Sequence, residues 1–237
     1  MERSENHEPV LPLLSPRLRA IADMVTEKTD RIIDIGTDHA YLPIWLAGRN
    51  TCSTAIASDL RSGPVARAKS NIDKYGMSDR IEARIGDGLE DIALCDGDTV
   101  IIAGMGGLEI MKILDSRLDD IPAGLKLILQ PQRSIPELRS WLIRNGFSIE
   151  DESIIRDRKH FYTVIKVSYS NINGTVDQEF DTLSAWLGPV LLRKNQDMTD
   201  DPLWQEYLQD KRTALAKAVR GKPELADLLK QIEQMLA

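Results

Sequence analysis

Residues 31–41 read Arg31-Ile32-Ile33-Asp34-Ile35-Gly36-Thr37-Asp38-His39-Ala40-Tyr41. The isoleucines make a short apolar run of the kind that forms a strand buried on both faces. Gly36 then permits a tight turn and close backbone approach to a ligand. A helical candidate near 40–48 follows. The same succession recurs down the chain, in TAIASDL (54–60), IEARIGD (81–87), DTVIIAG (98–104) and LKLILQP (125–131). Helical candidates near 64–75, 107–117 and 135–145 alternate with these runs. The last opens on Ser134 and Glu137, the spacing of a capping box, with Pro136 in its first turn. This alternation predicts an α/β fold with a mostly parallel sheet and helices on both faces. Two further strand candidates, 147–157 and 160–170, have no helix between them and fit an edge hairpin.

Residues 1–14, with Pro9 and Pro12, read as a lead-in. Ser15-Pro16 marks a helix start, with Leu18, Ile21, Ala22 and Val25 at helical spacing behind it. The chain then divides into an α/β domain over 15–170 and a helical, coiled-coil-like domain over 171–237, joined by a linker near 171–176. Three apolar stripes compose the tail: Phe180, Leu183, Leu187, Val190 and Leu191; Trp204, Leu208, Leu215 and Val219; and Leu225 to Leu236. Asp201-Pro202 and Gly221-Lys222-Pro223 punctuate them.

With 237 residues and 42% hydrophobic content, the chain has material for one α/β domain plus a small appendage. No apolar run reaches the ~18–20 residues that span a bilayer, and the opening MERSENHEPVLPLL lacks the form of a signal peptide. A soluble, cytoplasmic protein without membrane partners is expected. Cys52 and Cys95 have no metal spacing and read as buried, reduced thiols. His7, His39 and His160 form no ligand pattern, so no metal is expected. A net charge of −7 argues against broad binding to nucleic acid, and no DNA partner is expected. A local basic face remains open, because screening confines charge effects to about 8–10 Å.

Ligands of an open α/β sheet bind beyond the carboxyl ends of its strands. Asp34 at the first tip can receive the amino group of a bound amino acid, with Gly36 and Thr37 forming the turn. The motif is not GxGxxG, and Asp38 in the loop suits a cationic sulfonium better than a pyrophosphate. Asp59, followed by Leu60, can accept from both hydroxyls of a ribose, or instead cap the next helix. Gly86, Asp87 and Gly88 at the third tip suit an adenine 6-amino group. Acids at three successive tips favour S-adenosylmethionine. At the fourth tip, Ala103, Gly104 and Met105 leave space beside a methyl donor, and Gly106 and Gly107 border the acceptor. At the fifth, Gln130 and Gln132 offer amides to a base edge and Arg133 a cation to phosphate. The Asn/Asp-Pro-Pro-aromatic signature of exocyclic-amine methylation is absent.

DIGTDHAYLPIWL, RIGDGLE, IIAGMGGLEIMKIL and LILQPQ together resemble the bacterial tRNA (adenine-22-N1)-methyltransferase family, over about residues 15–235. Gln132 departs from the asparagine more usual there. The resemblance implies a class I, Rossmann-like methyltransferase domain with a seven-stranded sheet and a helical C-terminal extension. It also implies S-adenosylmethionine as donor and tRNA as acceptor. Adenine N1 has its own lone pair, so alignment and exclusion of water are the main demands on the protein. Asp38 is the candidate to stabilise the cationic product ring, or else binds cofactor or caps the next helix. His39 and Tyr41 contact base or cofactor, or are structural. Arg17 and Arg19, Arg133, and Arg156, Arg158 and Lys159 are candidate RNA contacts. The tail is net negative, so any contact there is local. A monomer or weak homodimer is expected. Competing readings are a small-molecule or protein methyltransferase, a non-catalytic RNA-binding module, and a nicotinamide oxidoreductase, which lacks its glycine fingerprint.

Overall fold

The computed structural model describes residues 11–170, 180–196 and 201–237. Most of the expected lead-in and the linker near 171–176 lie outside them. The chain runs α1 (Pro16–Asp23), β1 (Thr29–Ile35), α2 (Tyr41–Gly48), β2 (Cys52–Asp59), α3 (Ser62–Lys74), β3 (Ile81–Ile85), β4 (Asp98–Met105) and α4 (Gly107–Asp115). It continues through β5 (Lys126–Pro131), α5 (Ile135–Arg144), β6 (Phe147–Asp157) and β7 (His160–Tyr169). The tail contributes α6 (Thr182–Leu187), α7 (Pro189–Lys194), α8 (Pro202–Ala218) and α9 (Ala226–Met235).

All seven strands form one sheet, in the order β3-β2-β1-β4-β5-β7-β6. β1 to β5 are parallel, and β7 is antiparallel to both β5 and β6. The edge hairpin is therefore present. Period-two alternation divides the core. Ile33, Ile35, Val100, Ile102, Leu127 and Leu129 pack with Ile110, Leu114, Leu138 and Leu142 of α4 and α5. Ile32, Ala55, Ala57, Ile101 and Ile128 pack on the other face with Ile21, Ile44, Leu46, Ala68 and Ile72 of α1 to α3. Burial on both faces explains why these strands read as continuous apolar runs. The order steps outward from β1 to β3 and then returns to β4 on the other side of β1. That reversal opens a crevice at the carboxyl ends of β1 and β4.

The first tail stripe is not one helix. It breaks at Gly188, whose φ is +103°, between α6 and α7. The cause lies in the sheet domain: Glu152 of β6 accepts from the Val190 amide at 2.9 Å and the Leu191 amide at 3.4 Å, capping α7. Arg139 of α5 donates to the same carboxylate at 2.8 Å and to the Ala185 carbonyl at 2.8 Å. Both side chains are 0% exposed. A Cβ at Gly188 would lie 2.5 Å from Glu152 Oε2 and 2.8 Å from Arg139 Nη2, so only glycine fits.

Ser15 caps α1 by accepting from the Leu18 amide, as its sequence foretold. The capping box at Ser134 does not form: Ser134 is left-handed, with φ of +53°, and its side chain caps nothing. Cys95, expected inside, is exposed, whereas Cys52 is buried and its thiol is pushed up to about 11 by desolvation. No helix among the described residues is long and apolar enough to cross a membrane.

Candidate active site

The β1 tip is built by its neighbour. The Ser58 carbonyl of β2 accepts from the Gly36 and Thr37 amides at 2.8 and 2.9 Å, folding the loop back across β2. Gly36 needs its φ of +78°, and a Cβ there would come within 2.3 Å of Met105 Cε. Thr37 Oγ1 accepts from the Ala40 amide at 3.2 Å and so anchors the entry to α2. Asp34 is only 7% exposed. Burial raises its carboxyl to about 6, offset in part by a hydrogen bond with Thr37. No cation pairs with it among the described residues.

Asp38 is exposed by comparison, and it faces α3. Its Oδ1 accepts from Arg67 Nε at 3.1 Å and from the same guanidinium's Nη2, and its Oδ2 lies 3.3 Å from His39 Nε2. The Arg67 hydrogen bond leads the effects that hold its carboxyl below the ordinary range. It does not cap α2, whose first residue follows Ala40 with no side-chain cap. The His39 and Tyr41 rings stack, with centroids 5.2 Å apart.

Asp59, also 7% exposed, accepts from the Arg61 amide at 2.8 Å and from Arg61 Nε at 3.3 Å. This local turn leaves α3 without a side-chain cap, so the capping alternative for Asp59 falls. Leu60 beside it is 63% exposed, an apolar side chain held at a polar tip. At the β3 tip Asp87 is exposed, and a Cβ at Gly86 would press to 2.9 Å from Ser58 Oγ, a buried hydroxyl with no hydrogen-bond partner among the described residues. Gly88, with φ of +57°, packs on Ile113.

The fourth and fifth tips depart from expectation. Gly104 has φ of +80° at a register shift between Ala103 and Met105. Gly107 is buried and donates to the Arg133 carbonyl at 2.8 Å; a Cβ there would strike the Ser134 carbonyl at 2.4 Å. Gly106 likewise faces the Arg133 side chain. These two glycines pack the β4–α4 turn onto the β5–α5 turn, a structural role beside the one expected of them against the acceptor. Gln130 also has a structural role. It is 0% exposed, its Oε1 accepting from Arg17 Nη1 at 2.8 Å and its Nε2 donating to the Pro131 carbonyl at 3.0 Å. It supports Arg17, and its side chain is fully buried. Gln132 is exposed, its backbone N–H donating to the Met105 carbonyl at 2.8 Å.

A cleft of about 320 Å³ joins the first and fourth tips. It brings together Arg17, Asp34, Gly36, Thr37, Asp38, His39, Tyr41, Ala103, Gly104 and Gln132. Asp59, Leu60, Gly86, Asp87 and Gly88 stand at the neighbouring tips of β2 and β3, outside that lining. A second cavity of about 220 Å³ lies at the opposite, amino edge, beside the Glu27–Lys126 pair, and holds none of the tip acids. The sequence reading missed Arg67, Ser58 and Tyr162, over whose ring Arg17 sits at 5.8 Å. Each meets its partner across strand crossovers, and no local spacing announces it.

The donor set fits a sulfonium nucleoside bearing an amino acid: a buried unpaired acid, a glycine turn, and an acid and an exposed leucine at the next tip. Residues 14–165 match the family model of a methyltransferase domain. The Bacillus subtilis tRNA (adenine(22)-N(1))-methyltransferase is 30% identical over 226 residues, spanning 93% of this chain and 94% of the relative. The chain belongs to the tRNA (adenine(22)-N(1))-methyltransferase family. Solved structures of high likeness include the Bacillus subtilis M1A22 tRNA methyltransferase TrmK, with a TM-score of 0.80 at 27% identity, covering 95% of this chain and 99% of that one. Streptococcus pneumoniae Sp1610 in complex with S-adenosyl-L-methionine gives 0.77 at 29%, covering 95% and 100%. The mostly parallel α/β sheet expected from the strand and helix alternation is thus present, and it is the Rossmann-like class I methyltransferase fold that the resemblance implied, with a helical C-terminal region.

Proposed function

We propose that this chain methylates N1 of adenine, at position 22 of tRNA, with S-adenosylmethionine as donor. Within the family, the observation that carries the reading is Asp34: a buried carboxylate without a cation, at the floor of a cleft beside Arg17, Tyr41 and Gln132. A ligand amino group supplies the missing charge. Asp59 takes the ribose hydroxyls through its oxygen not held by Arg61, Leu60 flanks the adenine ring, and Asp87 and the backbone of Gly86 and Gly88 meet its edge. Bound there, the cofactor supplies an electrophilic methyl group.

The protein's own tasks are to admit an unpaired adenine, align N1 and exclude water. Gln132 and the stacked His39–Tyr41 pair border the space left for the base. Arg17, braced by Gln130, takes a phosphate or base edge, and Arg133 lies beyond it. Asp38, held ionised by Arg67 at the cleft's lining, stabilises the charge that develops on the ring. Residues 15–170 form the catalytic domain and 171–237 the helical one. The protein acts in the cytoplasm as a monomer or weak homodimer and without DNA.

The test is incubation with labelled S-adenosylmethionine and unmodified bacterial tRNA, followed by mapping of the methylated nucleotide. Label at N1 of adenine 22 is expected; label on an exocyclic amine, or on protein, overturns the assignment. Asp38→Asn is expected to lower turnover at least tenfold while leaving cofactor affinity within about twofold, since it removes a charge at the ring. Unimpaired turnover removes Asp38 from this role.

A further inference from the structure

The hairpin of β6 and β7 outruns the sheet. β5 pairs last with β7 at Leu129 opposite Ile165, yet β6 and β7 stay paired as far as Asp157 opposite His160. With β5 itself ending two residues further on, at Pro131, and at ~3.3 Å per residue, this carries a two-stranded ribbon roughly 10 Å past the carboxyl edge, alongside the cleft. Alternation gives the ribbon two faces. Phe161 and Ile154 pack into the helical tail, with Phe161 edge-on to Tyr207 at 6.0 Å. Tyr162 lies on the other face, beneath the Arg17 guanidinium and 6.5 Å from the His160 ring. Arg17 lines the cleft, and its Nη1 is 3.6 Å from the place a Cβ on Gly104 would take. Cleft floor, Arg17, Tyr162 and His160 therefore form one continuous path.

The path ends in unpaired charge. Arg158 and Lys159 at the ribbon's turn are exposed, and neither side chain has an ion pair or hydrogen bond among the described residues. Arg158 is held left-handed, with φ of +56°, which fixes the turn's shape. Nearby cations are committed elsewhere. Arg156 pairs with Glu206, Lys194 with Asp151, and Arg19 with Asp23 at 3.0 Å. Asp157 dilutes the tip without cancelling it. A solvated basic turn has no need of an aromatic and cationic track leading back to a reaction cleft.

We propose that this track seats the RNA strand next to the target adenosine. Arg158 and Lys159 take backbone phosphates, and Tyr162 and His160 offer ring faces to a flanking base, the pairing of cation and aromatic platform that unpaired RNA favours. The inference rests on the tRNA reading above. In a chain of net charge −7, two free cations beside the cleft weigh heavily, because more distant charges are screened.

The test compares the full-length protein with an Arg158→Asn/Lys159→Gln variant; asparagine tolerates the left-handed turn. Binding of unmodified tRNA is measured from 50 to 200 mM salt, with methylation at limiting and saturating tRNA. The expected result is a KM for tRNA raised about tenfold and a salt slope reduced by about one to two. Turnover at saturation and S-adenosylmethionine affinity stay unchanged. A Lys28→Gln/Lys126→Gln variant, which removes two charges at the amino edge, keeps the wild-type slope. An unchanged KM and slope in the ribbon variant overturn the track while leaving the methylation reading intact. Wild-type protein that binds cofactor but leaves tRNA unmethylated overturns both.

Discussion

At the scale of single residues, the buried carboxyl of Asp34, proposed to hold the cofactor's amino group, carries the most testable consequences. Its folded-state value of about 6 lies above the ordinary 3.8. The stability it contributes is therefore fully present below pH 3.8 and is lost as pH rises through 6. By linkage the cost above that window is ~3 kcal/mol. Asp34→Asn should raise the melting temperature of the cofactor-free protein by several degrees at pH 8 and by nothing near pH 3.5, measured by calorimetry. The same carboxylate must be ionised to hold a ligand amino group. S-adenosylmethionine affinity should thus fall about tenfold per pH unit below 6 and level off above it. A flat pH profile in wild-type protein would remove Asp34 from the amino-group site. Gly36→Ala adds left-handed strain of ~1–2 kcal/mol and a contact with Met105. Because the φ cost persists, Gly36→Ala/Met105→Ala should recover little of the lost cofactor affinity in titration.

Among elements, the parallel strands and their helices were legible because each strand is a short apolar run bounded by glycine or acid, and each helix repeats its apolar residues at 3.6. The break at Gly188 was not. Its neighbours Leu187, Val190 and Leu191 keep a helical stripe on both sides, and the cause is a carboxylate 36 residues upstream, Glu152. Removing one partner of that buried pair should be costly, while replacing both with apolar groups should be much less so. Arg139→Leu is expected to lose ~3–5 kcal/mol, seen as a fall in melting temperature of about 10 °C. Arg139→Met/Glu152→Leu should recover part of the loss. Equal destabilisation by the single and double variants would show that the pair's charge is not what docks the tail. Ser134 teaches the same lesson from the other side: its spacing to Glu137 suits a capping box, yet its backbone is left-handed where its carbonyl packs close against Gly107, and its side chain makes no cap.

On the scale of the whole molecule, acid and base are separated by function. The strand tips gather Asp34, Asp38, Asp59 and Asp87, where we propose the cationic cofactor enters, and the ribbon carries the free cations of the proposed RNA track. This arrangement reconciles a net charge of −7 with a polyanionic substrate. It also places the helical tail and the cleft on opposite faces of one ribbon, so the tail's docking fixes where that ribbon points. Partial proteolysis of Arg139→Leu should release the tail earlier than in wild type and raise KM for tRNA more than it lowers turnover.

The sequence alone determined the parallel α/β order, the edge hairpin, the helical tail and the acids at the strand tips, because these depend on short-range periodicity and on residues within one turn of each other. Tertiary structure alone decided that Gln130 braces Arg17, that Gly106 and Gly107 pack two loops together, that Asp38 faces Arg67, and that Tyr162 leads from the cleft to the ribbon. Those contacts join residues brought together by strand crossovers, and side-chain direction at a crossover is set by packing rather than by any neighbour in the chain.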